Sequence, residues 1–150
     1  EDNLTRYDIL PERIEFELTE TALLADVAQS SMIIQAISDL GCRIALDDFG
    51  TGFSSLSHLM KYPIDTVKID KSLLLNETGT SPNKRLLNGL VYMIRSLGLQ
   101  TVLEGVEMKK HLDLSRELAV NRIQGYYFER PISAHEFTEK YLATSNMTLM

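Results

Sequence analysis

Acidic residues recur along the sequence at the points where predicted β-strands end. Four strand ends carry carboxylates, with one lysine among them: Glu17 and Glu20, Asp47 and Asp48, Lys68 and Asp70, and Glu104 and Glu107. Taken singly, each carboxylate could be a helix cap or a solvated loop residue. Four consecutive acidic strand ends instead favour one shared site, because the carboxyl ends of parallel strands lie along one rim.

The chemistry of such a rim follows from its charge. Carboxylates at this density repel one another unless cations compensate them. Oxygen ligands suit hard divalent ions such as Mg²⁺ or Mn²⁺. Two such ions beside the ammonium of Lys68 would suit in-line displacement at phosphorus. The residues alone therefore predict a metal site for phosphoryl chemistry, with unrelated surface carboxylates as the alternative.

The elements that must position these residues alternate between strand and helix. Apolar residues at every second position predict a first strand at 13–19. Four further strands are predicted at 43–48, 66–70, 100–106 and 122–128. Helices are predicted between and after them, at 27–40, 54–61, 84–97, 108–118 and 134–142. This alternation predicts a parallel sheet, either doubly wound or a (β/α) barrel.

Two observations favour the barrel. No glycine-rich phosphate loop of the open-sheet type follows a strand, whereas polar residues stand at the carboxyl ends of many strands. A whole barrel takes about 250 residues. The 150 residues of this sequence therefore predict a partial TIM-type α/β barrel of about five parallel strands with flanking helices, whose N-terminal strands are missing.

Composition excludes several other classes of protein. The net charge of −6 argues against duplex nucleic acid, which needs clustered basic residues. No run approaches the roughly 18 apolar residues of a membrane span. A single cysteine, Cys42, allows no internal disulfide, which favours a reducing compartment. We therefore expect a cytoplasmic chain, with membrane tethering of a parent protein left open.

Five segments at or near the strand ends form recognisable motifs: Glu17-Leu18-Thr19-Glu20, the ten residues from Asp47 to Leu56 (DDFGTGFSSL), Lys68-Ile69-Asp70, Glu104-Gly105-Val106-Glu107, and Gln124-Gly125-Tyr126. In this order they resemble the motifs of the EAL family of cyclic di-GMP phosphodiesterases. The resemblance covers about residues 10–142. It implies a hydrolase that converts cyclic di-GMP to linear pGpG with two Mg²⁺ or Mn²⁺ ions.

The resemblance also implies roles for individual carboxylates. Glu17 and Asp47 would bind the first metal, with Asp47 bridging to the second. Asp48 and Glu104 would serve the second metal. The family's first-strand Glu-Ala-Leu segment and its second-strand metal-binding asparagine have no counterpart in this sequence. The first metal would therefore miss two expected protein ligands.

The remaining residues of the motifs are assigned by the same resemblance. Lys68 would contact the attacking water or the scissile phosphate, and Asp70 would orient Lys68. Gln124 would hydrogen-bond near the metals. Glu107 would contact the residues that bind the metals rather than the metals themselves.

A loop over the metals completes the implied site. Glu20 would anchor this loop, which starts with Phe49, Gly50, Thr51 and Gly52 and contributes to homodimer contacts in the family. Gly50 and Gly52 would supply backbone conformations barred to other residues. The nearby aromatic residues Phe53, Tyr126 and Tyr127 are interpreted as core or loop packing residues, with guanine stacking as the alternative.

Three interpretations of the whole chain follow. In the first, residues 1–143 are the C-terminal part of an EAL phosphodiesterase domain, excerpted from an active parent, and 144–150 are a flexible tail. In the second, the chain is an inactive remnant that binds nucleotide or protein partners. In the third, it is a module that dimerises through an uncovered sheet edge. The first is favoured because each downstream catalytic position is intact.

Overall fold

A single parallel sheet organises the chain. The computed structural model describes residues 2–19, 22, 27–50, 56–74 and 82–142. The sheet has five strands: β1 (Glu15–Thr19), β2 (Arg43–Phe49), β3 (Thr66–Ile69), β4 (Gln100–Leu103) and β5 (Arg122–Ile123). Neighbours pair in parallel and lie in chain order, from β1 to β5. A doubly wound sheet reverses its order at a switch point, so the prediction of barrel-type winding is confirmed.

Helices follow the strands as predicted. They are α1 (Asp2–Arg6), α2 (Val27–Asp39), α3 (Leu56–Lys61), α4 (Pro82–Ser96), α5 (Lys109–Glu117) and α6 (Ala134–Phe137), which continues as a π-helical turn over Thr138–Leu142. Helix α1 was not predicted, because its five residues are too few to show an apolar period. The proposed tail at 144–150 lies outside the described residues. No helix in the described part of the chain is long and apolar enough to cross a bilayer.

The last two strands are shorter than predicted. Strand β4 ends at Leu103 and β5 at Ile123, whereas the predicted strands reach Val106 and Phe128. Beyond these points the two segments bond to each other irregularly, with the Val106 amide donating to the Gln124 carbonyl oxygen at 3.1 Å. The site residues of these segments therefore stand just beyond the sheet rather than within it.

The two faces of the sheet differ in polarity. Outward-facing side chains of the central strands, including Ile44, Leu46, Val67 and Ile69, are almost fully buried. They belong to one apolar core with residues of the surrounding helices, such as Ile34, Leu59, Leu87, Val91 and Ile94. The other face carries Glu15, Glu17, Thr66, Lys68 and Arg122 at alternate strand positions. Polar and charged residues therefore dominate this inner face, with Ala45 and Val102 as its apolar members.

Side-chain contacts across the inner face reveal the stagger of the strands. Pairing through Ala45 sets Glu17 level with Thr66. Glu17 nevertheless contacts Lys68, two residues further along β3, at 2.8 Å. Pairing through Val102 sets Lys68 level with Arg122. Arg122 nevertheless contacts Thr66, two residues earlier on β3, at 2.9 Å.

Both contacts show the same offset of two residues over two strand steps, or one residue per strand. Thr66 also bonds Glu15, two residues before its level partner, at 2.8 Å. Carried around eight strands, one residue per strand gives the shear of eight that characterises TIM barrels. The sheet therefore has the stagger of a barrel wall as well as its strand order.

Gly125 permits the close approach of the segments beyond β4 and β5. A Cβ atom at this position would lie 2.3 Å from both the backbone nitrogen and the carbonyl oxygen of Val106. These are main-chain atoms, which no rotamer change can move aside. The two segments that carry Glu104 and Gln124 can therefore pack together only around a glycine.

We predict that Gly125→Ala lowers the free energy of unfolding by about 2–3 kcal/mol, near the top of the range for overpacking. The measurement is urea denaturation of the purified protein. Gly89→Ala is the matched control, because nothing lies within 4 Å of a Cβ at Gly89 in helix α4. That control should gain about 0.5–1 kcal/mol. An unchanged midpoint for Gly125→Ala would contradict the steric argument.

Candidate active site

A β-bulge brings two neighbouring aspartates to the same site. Successive strand residues point to opposite faces, so Asp47 and Asp48 could not converge in a regular strand. The pairing of β2 with β3 slips between Leu46 and Phe49, where three steps on β2 match two on β3. Asp48 has a φ of +56°, in the left-handed region that aspartate tolerates better than most residues. One ligand atom each of Asp47, Asp48 and Glu104 consequently lie within 4.8 Å of one another.

The ammonium of Lys68 lies among three carboxylates. Its Nζ is 2.8 Å from Glu17 Oε2, 3.0 Å from Asp47 Oδ1 and 3.0 Å from Glu104 Oε1. The side chain is 6% exposed. Each carboxylate comes from a different segment, β1, β2 or the segment after β4. Lys68 therefore joins the three segments that the sequence predicted to share a rim.

The titration behaviour of Lys68 follows from these contacts. Burial works to lower the pKa of its ammonium, but hydrogen bonds to Glu17, Asp47 and Glu104 outweigh burial and hold the pKa above the usual lysine range. Lys68 is consequently a fixed cation at neutral pH. It is suited to donate hydrogen bonds and to stabilise negative charge, and it is unsuited to accept a proton.

For Glu104, in contrast to Lys68, burial outweighs the attraction of the opposite charge. Burial raises the pKa of its carboxyl group, hydrogen bonding and charge attraction from Lys68 lower it, and the nearby charges of Asp47 and Glu17 raise it again. The net result is a pKa above the usual glutamate range. One ammonium therefore does not fully compensate the carboxylates gathered around it.

The donor set fits a hard divalent cation. Asp47, Asp48 and Glu104 offer only carboxylate oxygens, which Mg²⁺ and Mn²⁺ prefer to nitrogen or sulfur. Together with Glu17, these three residues place four carboxyl groups around the single ammonium of Lys68. These three residues would hold the metal, with Glu17 adjoining them through Lys68.

A cleft of about 430 Å³ opens beside the cluster. Its lining includes Asp70, Glu104, Glu107, Gln124, Tyr126 and Arg130. The Arg130 guanidinium carbon lies 4.6 Å from the centroid of the Tyr126 ring. Tyr126 is 52% exposed and Tyr127 41%, so neither ring belongs to the core, although Tyr127 packs edge-on against Phe128. Their exposure is explained by the turn that replaces the predicted end of β5.

Asp70 and Glu107 are held by neighbours on their own segments. The Asp70 carboxylate accepts a hydrogen bond from the Ser72 backbone amide at 2.8 Å and caps the 3₁₀ turn Lys71–Leu73. Burial acts to raise the pKa of Asp70, but its hydrogen bonds to Ser72 and Lys71 leave that pKa below the usual range. The Glu107 amide donates to Nδ1 of buried His111 at 3.3 Å. Orientation of Lys68 by Asp70 thus stays a prediction, because the contact made by the Asp70 carboxylate is with Ser72.

The loop that was predicted to cover the metals starts one residue later than expected. Phe49 is the last residue of β2, and its ring is 2% exposed within the core, so its assignment to the loop is wrong. The bulge is the physical reason, because it turns Phe49 back to the outer face. Gly50 follows with a φ of +102°, as predicted for a glycine that begins the loop. Glu20, Thr51, Gly52 and Phe53 lie outside the described residues.

Sequence reasoning missed two features of this face. The bulge in β2 has no signature in the residue pattern, because Asp-Asp followed by an aromatic residue also suits a strand end. The contacts among Glu15, Thr66 and Arg122 were missed as well. Their signal was present, since each lies two residues before a predicted site residue on the same predicted strand or at its end, and alternate strand residues share a face.

We predict that Lys68→Met destabilises the metal-free protein by about 3 kcal/mol, the cost of leaving charges without their buried partner. Added Mn²⁺ should raise the melting temperature more in the variant than in the native sequence, because the ion supplies the missing positive charge. Thermal unfolding with EDTA or Mn²⁺ measures both effects. Lys84→Met is the control, because its salt bridge with Glu117 lies at the surface and such pairs contribute about 0–1 kcal/mol. Equal Mn²⁺ shifts in all three proteins would contradict the argument.

We further predict that Glu104→Gln raises the melting temperature of the metal-free protein at pH 7. The raised pKa means that the folded state binds a proton more tightly than the unfolded state, so stability falls as pH rises through that window. A neutral amide avoids this loss. Below about pH 4, where an unfolded glutamate is also protonated, the difference should vanish. A lower melting temperature for the variant at pH 7 in EDTA would show that ionised Glu104 is stabilising.

Comparison with known proteins agrees with this geometry. Curated relatives include the signaling protein YkoW of Bacillus subtilis, 37% identical over 92% of this chain, and the cyclic di-GMP phosphodiesterase NbdA of Pseudomonas aeruginosa, 34% identical over 85%. The chain spans 17% of the length of each.

Solved structures match over most of the chain. The PaMucR phosphodiesterase in complex with c-di-GMP has a TM-score of 0.83 and 32% identity, covering 91% of this chain and 55% of its own. A manganese and cyclic di-GMP complex of Klebsiella pneumoniae BlrP1 has a TM-score of 0.79 and 30% identity, covering 87% and 33%. A sequence model described as the EAL domain matches residues 1–131. The chain therefore belongs to the EAL domain family.

Proposed function

We propose that this chain carries catalytic residues of a phosphodiesterase that hydrolyses cyclic di-GMP to linear pGpG with two Mg²⁺ or Mn²⁺ ions. The observation that carries the proposal is the convergence of Asp47, Asp48 and Glu104 beside the buried ammonium of Lys68. The substrate is supported by the name of NbdA and by the c-di-GMP complex of PaMucR. The manganese in the BlrP1 complex supports the class of ion.

The carboxylates would hold the ions at the rim of the sheet. Asp47, Asp48 and Glu104 offer the converging oxygens, and Glu17 extends the cluster on the far side of Lys68. When bound, the ions would supply a water molecule that is more easily deprotonated and would offset the charge of the phosphate. They would also let a chain of net charge −6 bind a dianionic substrate.

The reaction balances without any redox partner. The water oxygen bonds to phosphorus, the bond from phosphorus to the ribose 3′ oxygen breaks, and that oxygen takes up a proton, which leaves a 5′-phosphate on pGpG. The pKa of Lys68 lies above its usual range, so its ammonium stays charged during this step. Of the two expected roles for Lys68, this favours contact with the phosphate oxygens, where negative charge accumulates.

The cleft would receive the remainder of the substrate. Gln124 and Glu107 lie in its lining beside Glu104. The amide of Gln124 can both donate and accept a hydrogen bond, which suits a position next to the metal ligands and the phosphate. Tyr126 presents an exposed ring to the same cleft. Such a surface suits stacking by a purine base.

Conversion of cyclic di-GMP to pGpG by the full-length protein in Mg²⁺ or Mn²⁺ is the direct test, with products followed by chromatography. We predict that Glu104→Gln lowers kcat at least about a hundredfold, since even residues behind a metal ligand cost 10–100-fold. Glu117→Gln removes a carboxylate from helix α5, outside the cluster, and should keep full activity.

No conversion of cyclic di-GMP by the unsubstituted protein would overturn the proposal. Retained binding of cyclic di-GMP without turnover would then favour the inactive, nucleotide-binding interpretation. A dimer on a sizing column without nucleotide binding would favour the interaction module. Equal turnover by Glu104→Gln and the native sequence would show that the activity arises elsewhere.

A further inference from the structure

A second polar layer lies beneath the carboxylate cluster on the inner face of the sheet. Arg122 Nη2 donates to Thr66 Oγ1 at 2.9 Å, and the Thr66 hydroxyl donates to Glu15 Oε2 at 2.8 Å. Arg122 Nη2 also lies 3.3 Å from Glu15 Oε2. The three residues belong to β1, β3 and β5, so their contacts pass over β2 and β4. We call Glu15, Thr66 and Arg122 the lower layer.

Each residue of the lower layer lies two positions before a residue of the site. Glu15 precedes Glu17, Thr66 precedes Lys68, and Arg122 precedes Gln124. Two strand residues span only about 6.6 Å of extended backbone. A shift of one strand in the lower layer would therefore be transmitted to the site residue above it.

The hydrogen bonds of this layer have a fixed direction. Thr66 is 1% exposed, so water has little access to its hydroxyl. Its proton points to Glu15, and its oxygen accepts from Arg122. Interior layers of TIM barrels are usually filled by Val, Ile or Leu, which pack without direction. A charged and directional layer specifies strand spacing more narrowly, because a strand that slips breaks defined donor and acceptor pairs.

The lower layer also adds no net charge to the face that carries the site. Glu15 and Arg122 compensate each other within the layer. Lys68 can consequently remain with Glu17, Asp47 and Glu104, and Glu15 does not compete for its ammonium. Removal of Arg122 would leave Glu15 as one more carboxylate on the same face, one layer below the cluster.

We propose that the lower layer positions Lys68 and Glu17 for catalysis, with Arg122 as the positioning residue that ties β5 to β3 and β1. The proposal rests on the proposed phosphodiesterase function, because it assigns Lys68 and Glu17 to the reacting site. Arg122 itself does not touch the phosphate in this scheme. It acts by holding three strands at the offset at which Glu17 and Lys68 meet.

The test compares Arg122→Met with Arg122→Lys in the full-length protein. We expect Arg122→Met to lower kcat for cyclic di-GMP by about 10–100-fold, as for residues that orient metal ligands, with KM changed less than threefold. Arg122→Lys, which keeps a cation and a donor, should recover a substantial part of kcat. Arg116→Met is the matched control, because Arg116 is an exposed arginine on helix α5. It should leave kcat unchanged.

Mn²⁺ titration by calorimetry, without substrate, provides a readout that is independent of turnover. Arg122→Met should weaken Mn²⁺ binding about tenfold or more, whereas a residue with a purely structural role would lower the melting temperature and leave the Mn²⁺ affinity of the folded protein intact. Unchanged kcat and unchanged Mn²⁺ affinity in folded Arg122→Met would overturn the proposal.

A second pair of variants covers the case in which Arg122→Met fails to fold. Thr66→Val keeps the shape of the side chain and removes its hydroxyl, and Thr66→Ser keeps the hydroxyl. We expect Thr66→Val to reproduce the losses in kcat and Mn²⁺ affinity and Thr66→Ser to recover most of both. Equal values for the two variants would overturn the proposal.

Failure of the proposed function gives a different pattern. If the unsubstituted protein binds Mn²⁺ without hydrolysing cyclic di-GMP, the phosphodiesterase proposal fails and the Mn²⁺ affinities alone decide the role of the lower layer. If it binds no Mn²⁺, there is no metal site for the layer to position, and both proposals are overturned.

Discussion

The contact of one ammonium with three carboxylates is the interaction on which the site depends. Lys68 holds Glu17, Asp47 and Glu104 within hydrogen-bonding distance, and its pKa above the usual range shows that the attraction exceeds the cost of burial. The same cluster leaves Glu104 with a raised pKa. The cluster is therefore compact and carries an excess of negative charge, which a bound cation would compensate.

The backbone provides two devices that make this contact possible. The bulge in β2 turns two successive aspartates toward one point, and the stagger of one residue per strand brings Glu17 beside Lys68 across the intervening Ala45. The outer face of the same strands is buried against helices, so the strands cannot rotate to relieve the repulsion among the carboxylates. Apolar packing on one face thus fixes charged groups on the other.

Much of the fold was readable from the sequence because the signals were periodic. Alternating apolar residues located β1, and all five predicted strands are present in the sheet. The ends of β4 and β5 were missed, because the irregular bonding of Val106 with Gln124 and Tyr127 is a tertiary contact that alternation does not encode. Phe49 was misplaced for the same reason, since a bulge changes which face a residue occupies without changing the residue. The cluster of Glu17, Asp47, Lys68 and Glu104 was predicted from the strand ends alone. The hydrogen bond of Asp70 with Ser72 was not predicted, because it depends on the local turn after β3.

The left-handed backbone of Asp48 limits how this site can change in evolution. At a φ of +56° a β-branched side chain is strongly disfavoured, whereas asparagine and glycine accept the conformation. A descendant that loses the Asp48 carboxylate but keeps the shape of the rim is therefore expected to carry Asn or Gly at this position. Valine or isoleucine there would mark the loss of the bulge itself, and with it the convergence of positions 47 and 48 on one site.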